Sequence, residues 1–115
     1  MGRIDYDNGY YLGDTNWKGE RHGEGTYYWD DGGRYTGDWR KDVQHGKGIY
    51  YWPNGAKYEG DFVGNKFHGT GTFYWFDGAK DVGSYVNGML HGKATRYLAN
   101  GESFECEWYY DKIKK

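Results

Sequence analysis

The 115-residue chain has a formal charge of −2, with 21 Gly, 14 Tyr, 6 Trp and 5 Phe but only ten Leu, Ile and Val in all. That excludes an aliphatic core and leaves the rings, each bringing roughly 150–250 Å² of buried surface, to build one. It also excludes a membrane helix, which needs ~20 apolar residues, and the basic surface that nucleic acid requires. Scarce aliphatics can signal disorder, but disorder also calls for a high net charge, which is missing. Met1-Gly2-Arg3-Ile4-Asp5-Tyr6 holds no apolar leader. The lone Cys106 cannot close an internal disulfide. Together these point to a cytoplasmic protein without a nucleic-acid partner.

Along the chain, Asx-Gly pairs come first: Asn8-Gly9, Asp31-Gly32, Asn54-Gly55, Asp77-Gly78 and Asn100-Gly101, 23 residues apart. Such pairs mark tight hairpins in which both central residues take positive φ. His22-Gly23, His45-Gly46, His68-Gly69 and His91-Gly92 keep the same 23-residue step. Behind them run Gly25, Gly48, Gly71 and Ala94, then Tyr27, Tyr50, Phe73 and Arg96. A third ladder is Gly37, Gly60 and Gly83, followed by Trp39, Phe62 and Tyr85. The register spans residues 2–108, so residues 1–115 read as one array, with 109–115 as a tail or cap.

Between turns the sequence alternates. Gly46, Gly48, Tyr50 and Trp52 share one face, and Lys47, Ile49 and Tyr51 the other. Tyr58, Gly60 and Phe62 alternate with Lys57, Glu59 and Asp61. Period two predicts strands, hence about ten of them in an all-β meander: an elongated, twisted single sheet of antiparallel hairpins. Asp42, Asn65 and Gly88 fall in the second set of turns and suit a left-handed backbone. Gly13-Asp14-Thr15-Asn16-Trp17 is longer than Gly37-Asp38-Trp39, which predicts a bulge or a frayed strand in the first repeat. Large rings lying over bare glycine on a neighbouring strand explain why both residue types abound.

Tyr35-Thr36-Gly37-Asp38-Trp39, His45-Gly46-Lys47-Gly48-Ile49-Tyr50 and Asn54-Gly55 resemble a MORN (membrane occupation and recognition nexus) repeat. So do Tyr58-Glu59-Gly60-Asp61-Phe62, His68-Gly69-Thr70-Gly71-Thr72-Phe73 and Asp77-Gly78, and about four units follow in phase. The resemblance implies a twisted hairpin array used for protein contacts, for self-association or for lipid binding.

Chemistry-bearing candidates are few. Histidines one repeat apart stand two strands apart, about 9.5–10 Å, too far to share a metal whose ligand nitrogens lie ~2 Å away. They read as turn histidines bonded to backbone. Asp30-Asp31, Asp5 and Asp7 read as turn residues without the spacing of a calcium loop. Cys106 stands where the Gly37 ladder continues and reads as a small buried substitute. No nucleophile elbow or phosphate loop is present. No catalysis, cofactor or metal is expected.

The binding candidate is an aromatic groove of Tyr35, Trp39, Tyr50, Trp52, Tyr58, Phe62, Phe73, Trp75 and Tyr85, the same rings that must make the core. Asp81 interrupts the series of Tyr35, Tyr58 and Phe104, and Arg96 that of Tyr27, Tyr50 and Phe73. About a hairpin centred near Gly88 the two are symmetric, so they are expected to pair on the aromatic face as specificity elements. The opposite face mixes Lys47, Lys57, Lys80 and Lys93 with Glu24, Asp38, Glu59, Asp61, Glu105 and Glu107 and reads as solvated. Glu105 and Glu107 are expected to blunt the last edge, and Tyr109-Tyr110 with Ile113 to fold back over it. The function expected is a non-enzymatic module that binds a protein or peptide partner, as an adaptor or an inhibitor or immunity protein. The alternatives are a lipid-headgroup adaptor, for which the basic excess is missing, and a scaffold that assembles through its edge strands.

Overall fold

A computed structural model describes residues 2–109 and 112–113. Its strands are β1 (Gly2–Tyr6), β2 (Gly9–Thr15), β3 (Arg21–Trp29), β4 (Arg34–Arg40), β5 (Val43–Tyr51), β6 (Lys57–Val63), β7 (Lys66–Tyr74), β8 (Lys80–Val86), β9 (Met89–Tyr97), β10 (Ser103–Tyr109) and β11 (Lys112–Ile113). They form one antiparallel sheet in chain order, without a crossover. At about 4.8 Å per strand, the spacings from β1 to β11 account for the 48 Å long axis. The 19 Å depth is nearly twice the ~10 Å between stacked flat sheets. The sheet is therefore bent and twisted, and the rings fill its hollow side.

The two kinds of turn differ in geometry. At Lys41-Asp42, Gly64-Asn65 and Asn87-Gly88 both central residues have positive φ, from 48° to 87°. The left-handed positions expected at Asp42, Asn65 and Gly88 are thus present. The Asx-Gly turns depart from expectation, because only the glycine is left-handed, as Gly55 shows at +94°. The Gly55 N–H donates to Trp52 O and the Trp52 N–H to Ala56 O, while Asn54 Oδ1 accepts from the Ala56 N–H at 3.0 Å. The Asx side chain thus caps the loop through its oxygen, and Pro53 supplies the fixed φ of the preceding corner. Asp31, Asp77 and Asn100 repeat this bond. Gly9 differs from the other four Asx-Gly glycines: it already lies in β2 and has no positive φ.

The bulge expected in the first repeat lies between Gly13 and Thr15, but it is no peculiarity of that repeat. Register also shifts at Gly37/Trp39, Gly60/Phe62 and Gly83/Tyr85. Opposite these steps, the glycine after each histidine has a φ of 85° to 108°. The histidines therefore sit at strand bulges rather than in turns. His22 Nδ1 and His68 Nδ1 each accept a backbone N–H, from Lys41 and Asn87, at 3.2 Å. What sets the first repeat apart is its turn. Thr15 pairs with Arg21 as Trp39 pairs with Gln44, and the loop between holds one residue more. Trp17 stands out from it at 90% exposure.

Asp31 serves its turn as expected, but Asp5 lies in β1, paired with Arg3 of the same strand at 3.0 Å. Cys106 is half-buried rather than buried and packs against the ring cluster. β11 pairs with Trp108 and Tyr109, so the chain does turn back at its end and β10, with Glu105 and Glu107, is not the last strand. Tyr110 lies outside the described residues.

Candidate functional site

The rings are arranged in two tiers along the hollow face. In the inner tier, Tyr11, Trp39, Tyr35, Phe62, Tyr58 and Tyr85 follow one another edge to face, with centroids 4.8–5.4 Å apart. This is the spacing and tilt that ring quadrupoles favour. All six are at most 4% exposed. In the outer tier, Tyr27, Trp29, Tyr50, Trp52, Phe73 and Trp75 follow at 4.6–5.2 Å, and exposure rises to 41% at Trp75. All nine rings named from the sequence therefore lie on one face. Tyr35, Trp39, Tyr58, Phe62 and Tyr85 are core, while Tyr50, Trp52 and Phe73 are half-buried above it.

The inner tyrosines show why glycine is needed. Whereas Tyr85 donates back to Asp81 O at 3.2 Å, Tyr11, Tyr35 and Tyr58 each lie along their own strand and donate the hydroxyl across the bulge to a carbonyl, Tyr35 to Asp38 O at 2.8 Å and Tyr58 to Asp61 O at 3.1 Å. The ring then covers a glycine of the next strand. A Cβ on Gly48 would stand 2.3 Å from Tyr35 Oη, and one on Gly71 2.2 Å from Tyr58 Oη. Trp39 likewise donates its indole N–H to Gly25 O at 3.0 Å. Burial raises the phenol pKa of Tyr35 and Tyr58, and pushes that of Tyr11 up to about 12 with added repulsion from Asp14.

Both tiers stop at the same cross-strand pair. Asp81 and Arg96 are register partners on β8 and β9. Arg96 Nε donates to Asp81 Oδ1 at 2.6 Å and Nη2 to Oδ2 at 2.8 Å. The expected pair is formed, on the aromatic face. Sequence reasoning missed its third member, Trp75, whose Nε1–H reaches Asp81 Oδ2 at 3.0 Å. The Asp81 side chain is 3% exposed and that of Arg96 28%. The hydrogen bonds it donates to Asp81 raise the already high pKa of the guanidinium against the opposing cost of burial. Beside the pair opens a cavity of about 270 Å³ lined by Phe73, Trp75, Tyr85, Leu90 and Trp108. A shallower hollow of about 420 Å³ at the other end is lined by Tyr6, Arg21, Tyr27, Gln44 and Tyr50.

The residue before each histidine, Arg21, Gln44, Phe67 and Leu90, also points into this face, a column the ring count did not flag. Arg21 lies over Tyr6, Tyr27 and Trp39 at 4.7–5.3 Å and is held by Asp42. Gln44 is 4% exposed, and its Oε1 has no hydrogen-bond partner among the described residues. The column turns from polar to apolar along the array, so the two ends of the hollow differ in chemistry.

The opposite face is less simply solvated than its charges suggested. Tyr51, Tyr74 and Tyr97 keep the 23-residue step there, and Arg34, Lys57 and Lys80 lie over their rings at 4.1–5.0 Å. Each is the register partner of its tyrosine. Lys47 forms an ion pair with Asp61, whose pKa it lowers through that hydrogen bond. Cations engaged in this way offer little to an anionic surface.

No helix among the described residues is long and apolar enough to cross a membrane. No match to a curated protein accompanies the family comparison. The MORN repeat matches residues 17–34, 35–57, 58–80 and 82–103, in the phase set by the histidines and the Asx-Gly turns. With four consecutive repeats over well more than half its length, the chain belongs to the MORN-repeat family.

Proposed function

We propose that the chain is a non-catalytic cytoplasmic module that seats a segment of a partner protein across its aromatic hollow, as an adaptor or as an inhibitor of that partner. The observation behind this reading is the incomplete cover of the outer tier. Trp75 is 41% exposed, the neighbouring turn residue Phe76 is 69% exposed, and Tyr50, Trp52 and Phe73 are only half-buried. An apolar surface rimmed by polar groups is what partner segments bury. Its two ends offer different polar groups, Arg21 with Gln44 and Asp81 with Arg96, which would fix the direction of a bound segment. The lipid reading has less support, because three cations of the other face are stacked on tyrosines and a fourth is paired with Asp61.

The test is selection of peptides from a random display library on the folded protein, followed by an amide-exchange footprint. Selected peptides should protect the strands around Trp52 and Trp75. Trp75→Ala, at a half-exposed position, should weaken them at least tenfold while leaving the circular dichroism unchanged. A footprint confined to the face of Glu59 and Lys47 contradicts the reading. So does tight co-sedimentation with anionic vesicles at moderate salt in place of peptide binding.

A further inference from the structure

The outer tier repeats with the array. Trp29, Trp52 and Trp75 keep the 23-residue step, as do Tyr27, Tyr50 and Phe73. Equivalent rings therefore stand two strands apart, about 9.5–10 Å. Between them the ring contacts are unbroken from Trp29 to Trp75, with centroids 4.6–5.2 Å apart. A segment laid lengthwise along this row meets the same surface at each repeat, so its own period has to match that distance.

Regular backbones differ in how well they do so. Polyproline II has three residues per turn and rises ~3.1 Å per residue, so one ridge recurs every ~9.3 Å. An α-helix recurs after two turns at ~10.8 Å and gains roughly 1 Å on the row at each repeat. A β-strand presents one face every ~6.6 Å and falls out of step at once.

The polar groups of the row narrow the choice further. The indole N–H groups of Trp29 and Trp52 and the hydroxyl of Tyr50 make no hydrogen bond among the described residues. They lie on half-buried rings that keep part of their surface open, unlike the enclosed indole nitrogen of Trp108. An indole offers a donor and no acceptor. Such a row suits a backbone that brings carbonyls and few N–H groups. Proline removes the N–H and keeps the carbonyl, and in polyproline II no carbonyl is used internally. A helix, by contrast, has already spent its carbonyls on itself.

Charge points the same way. The charged side chains lining the two hollows beside the row are Arg21, Asp81 and Arg96. Arg21 is held by Asp42, and Asp81 by Arg96. With both ends compensated, the complementary segment is an uncharged one.

We infer that the partner segment is a proline-rich stretch in the polyproline II form, lying along the outer tier with a proline near each of Trp29, Trp52 and Trp75 and its carbonyls accepting from the indoles and from Tyr50. Two steps of the array correspond to about seven residues with proline at every third. The inference rests on the partner-binding reading above and gives its occupant a composition and a period.

The experiment titrates blocked decaproline into the whole chain and follows the indole N–H resonances. Those of Trp29 and Trp52 should shift. Those of Trp17, which stands out from the first turn, and of Trp39, already bonded to Gly25 O, should not. Trp52→Phe keeps a ring and removes the donor, and should weaken binding about threefold or more at unchanged circular dichroism. Two further peptides of alanine and serine carry equal numbers of prolines, at every third or at every fourth residue. The first should bind at least threefold more tightly. Equal affinities for the two spacings, or unmoved Trp29 and Trp52 resonances, overturn the proposal.

The display library separates this failure from that of the partner-binding reading. Peptides selected there should be rich in proline at the three-residue spacing. Peptides that protect the hollow but carry apolar residues at helical spacing refute the proline segment and leave the groove standing. No peptide protecting the hollow at all removes both.

Discussion

The hairpin pair around Tyr58 and the one around Asp81 share a register and a bulge, and yet solve the same packing problem in opposite ways. At Tyr58 a ring folds over Gly71, meets Phe62, Phe67 and Tyr85, and buries its hydroxyl on a carbonyl. At Asp81 a carboxylate takes that place, bound by a guanidinium and an indole, with a cavity alongside. The first arrangement stabilises through area and ring contact, and the second keeps a charged pair satisfied while leaving space. A repeat array can thus exchange a ring for an enclosed charged pair in one unit by a few substitutions, while keeping the register and the bulge.

The largest effect should come from breaking the pair. Arg96→Met leaves a buried carboxylate with one hydrogen bond, from Trp75. Loss of one partner of a buried pair costs about 3–5 kcal/mol. The partial exposure of Arg96 places the expected loss near ~3 kcal/mol, read from the midpoint of urea unfolding at constant slope. Asp81→Tyr should also destabilise when made alone, through overlap with Ala94, and Ala94→Gly should rescue it. If the two substitutions prove additive, the ring and the methyl do not compete for one space and the comparison between the hairpins fails.

Next comes the glycine step itself. Gly71→Ala drives a Cβ into the Tyr58 ring, which is held by its hydroxyl and by three neighbouring rings, so about 2–3 kcal/mol of overpacking strain is expected. The mirror change Ala94→Gly only removes a methyl and adds chain freedom, for a loss below ~1 kcal/mol. Thermal unfolding of the two single variants measures this asymmetry directly.

Much of this contrast was already visible in the chain. The 23-residue step set the strands, the faces and the left-handed turns, and the mirror positions of residues 81 and 96 about Gly88 placed their pairing. Alternation assigns a residue to a face, but it does not say which way a ring leans once there. That tyrosines lie along their own strand, over the next strand's glycine, depends on the bulge. The bulge was expected only where the spacing broke, at Gly13, and not where the spacing was regular. The same limit hid the link between Asp81 and Ala94, because alternation alone does not say that a ring at one position would lie over the other. It also hid Gln44 and Leu90, which the bulge turns onto the hollow face. At the Asx-Gly turns the dipeptide was right and the turn was not, because aspartate and asparagine act there through a side-chain oxygen rather than a left-handed backbone.

Alkaline pH should act on the tyrosine-built repeats through the same buried phenols. Folding holds Tyr11 protonated up to about pH 12 against ~10 in the unfolded chain, and raises Tyr35 and Tyr58 as well. The native state therefore binds more protons than the unfolded state above pH 10. Stability should be flat below that point and fall as pH rises towards 12, by ~1.4 kcal/mol per pH unit for each such tyrosine. The double variant Asp81→Tyr/Ala94→Gly adds one more buried phenol and should steepen the fall by one such increment. Urea midpoints at stepped alkaline pH give both slopes, and equal slopes would mean that the new ring does not enter the inner tier.

The smallest effect should come from the outer surface, where an ion pair resembles the buried one only in name. Lys47 meets Asp61 with its own side chain 78% exposed, whereas Asp81 is enclosed. Water screens the first pair, and two long side chains lose freedom in forming it, so exposed pairs contribute ~0–1 kcal/mol. Asp61 keeps a second task that needs no lysine, since its Oδ2 accepts the Thr70 N–H at 3.2 Å. Lys47→Ala should cost less than ~0.5 kcal/mol, and less again in molar salt, where the screening length falls to ~3 Å. The Arg96→Met loss should hardly change between low and high salt, because solvent ions do not reach Asp81. The salt dependence of the two variants, rather than their absolute stabilities, then separates a pair that belongs to the surface from one built into a site.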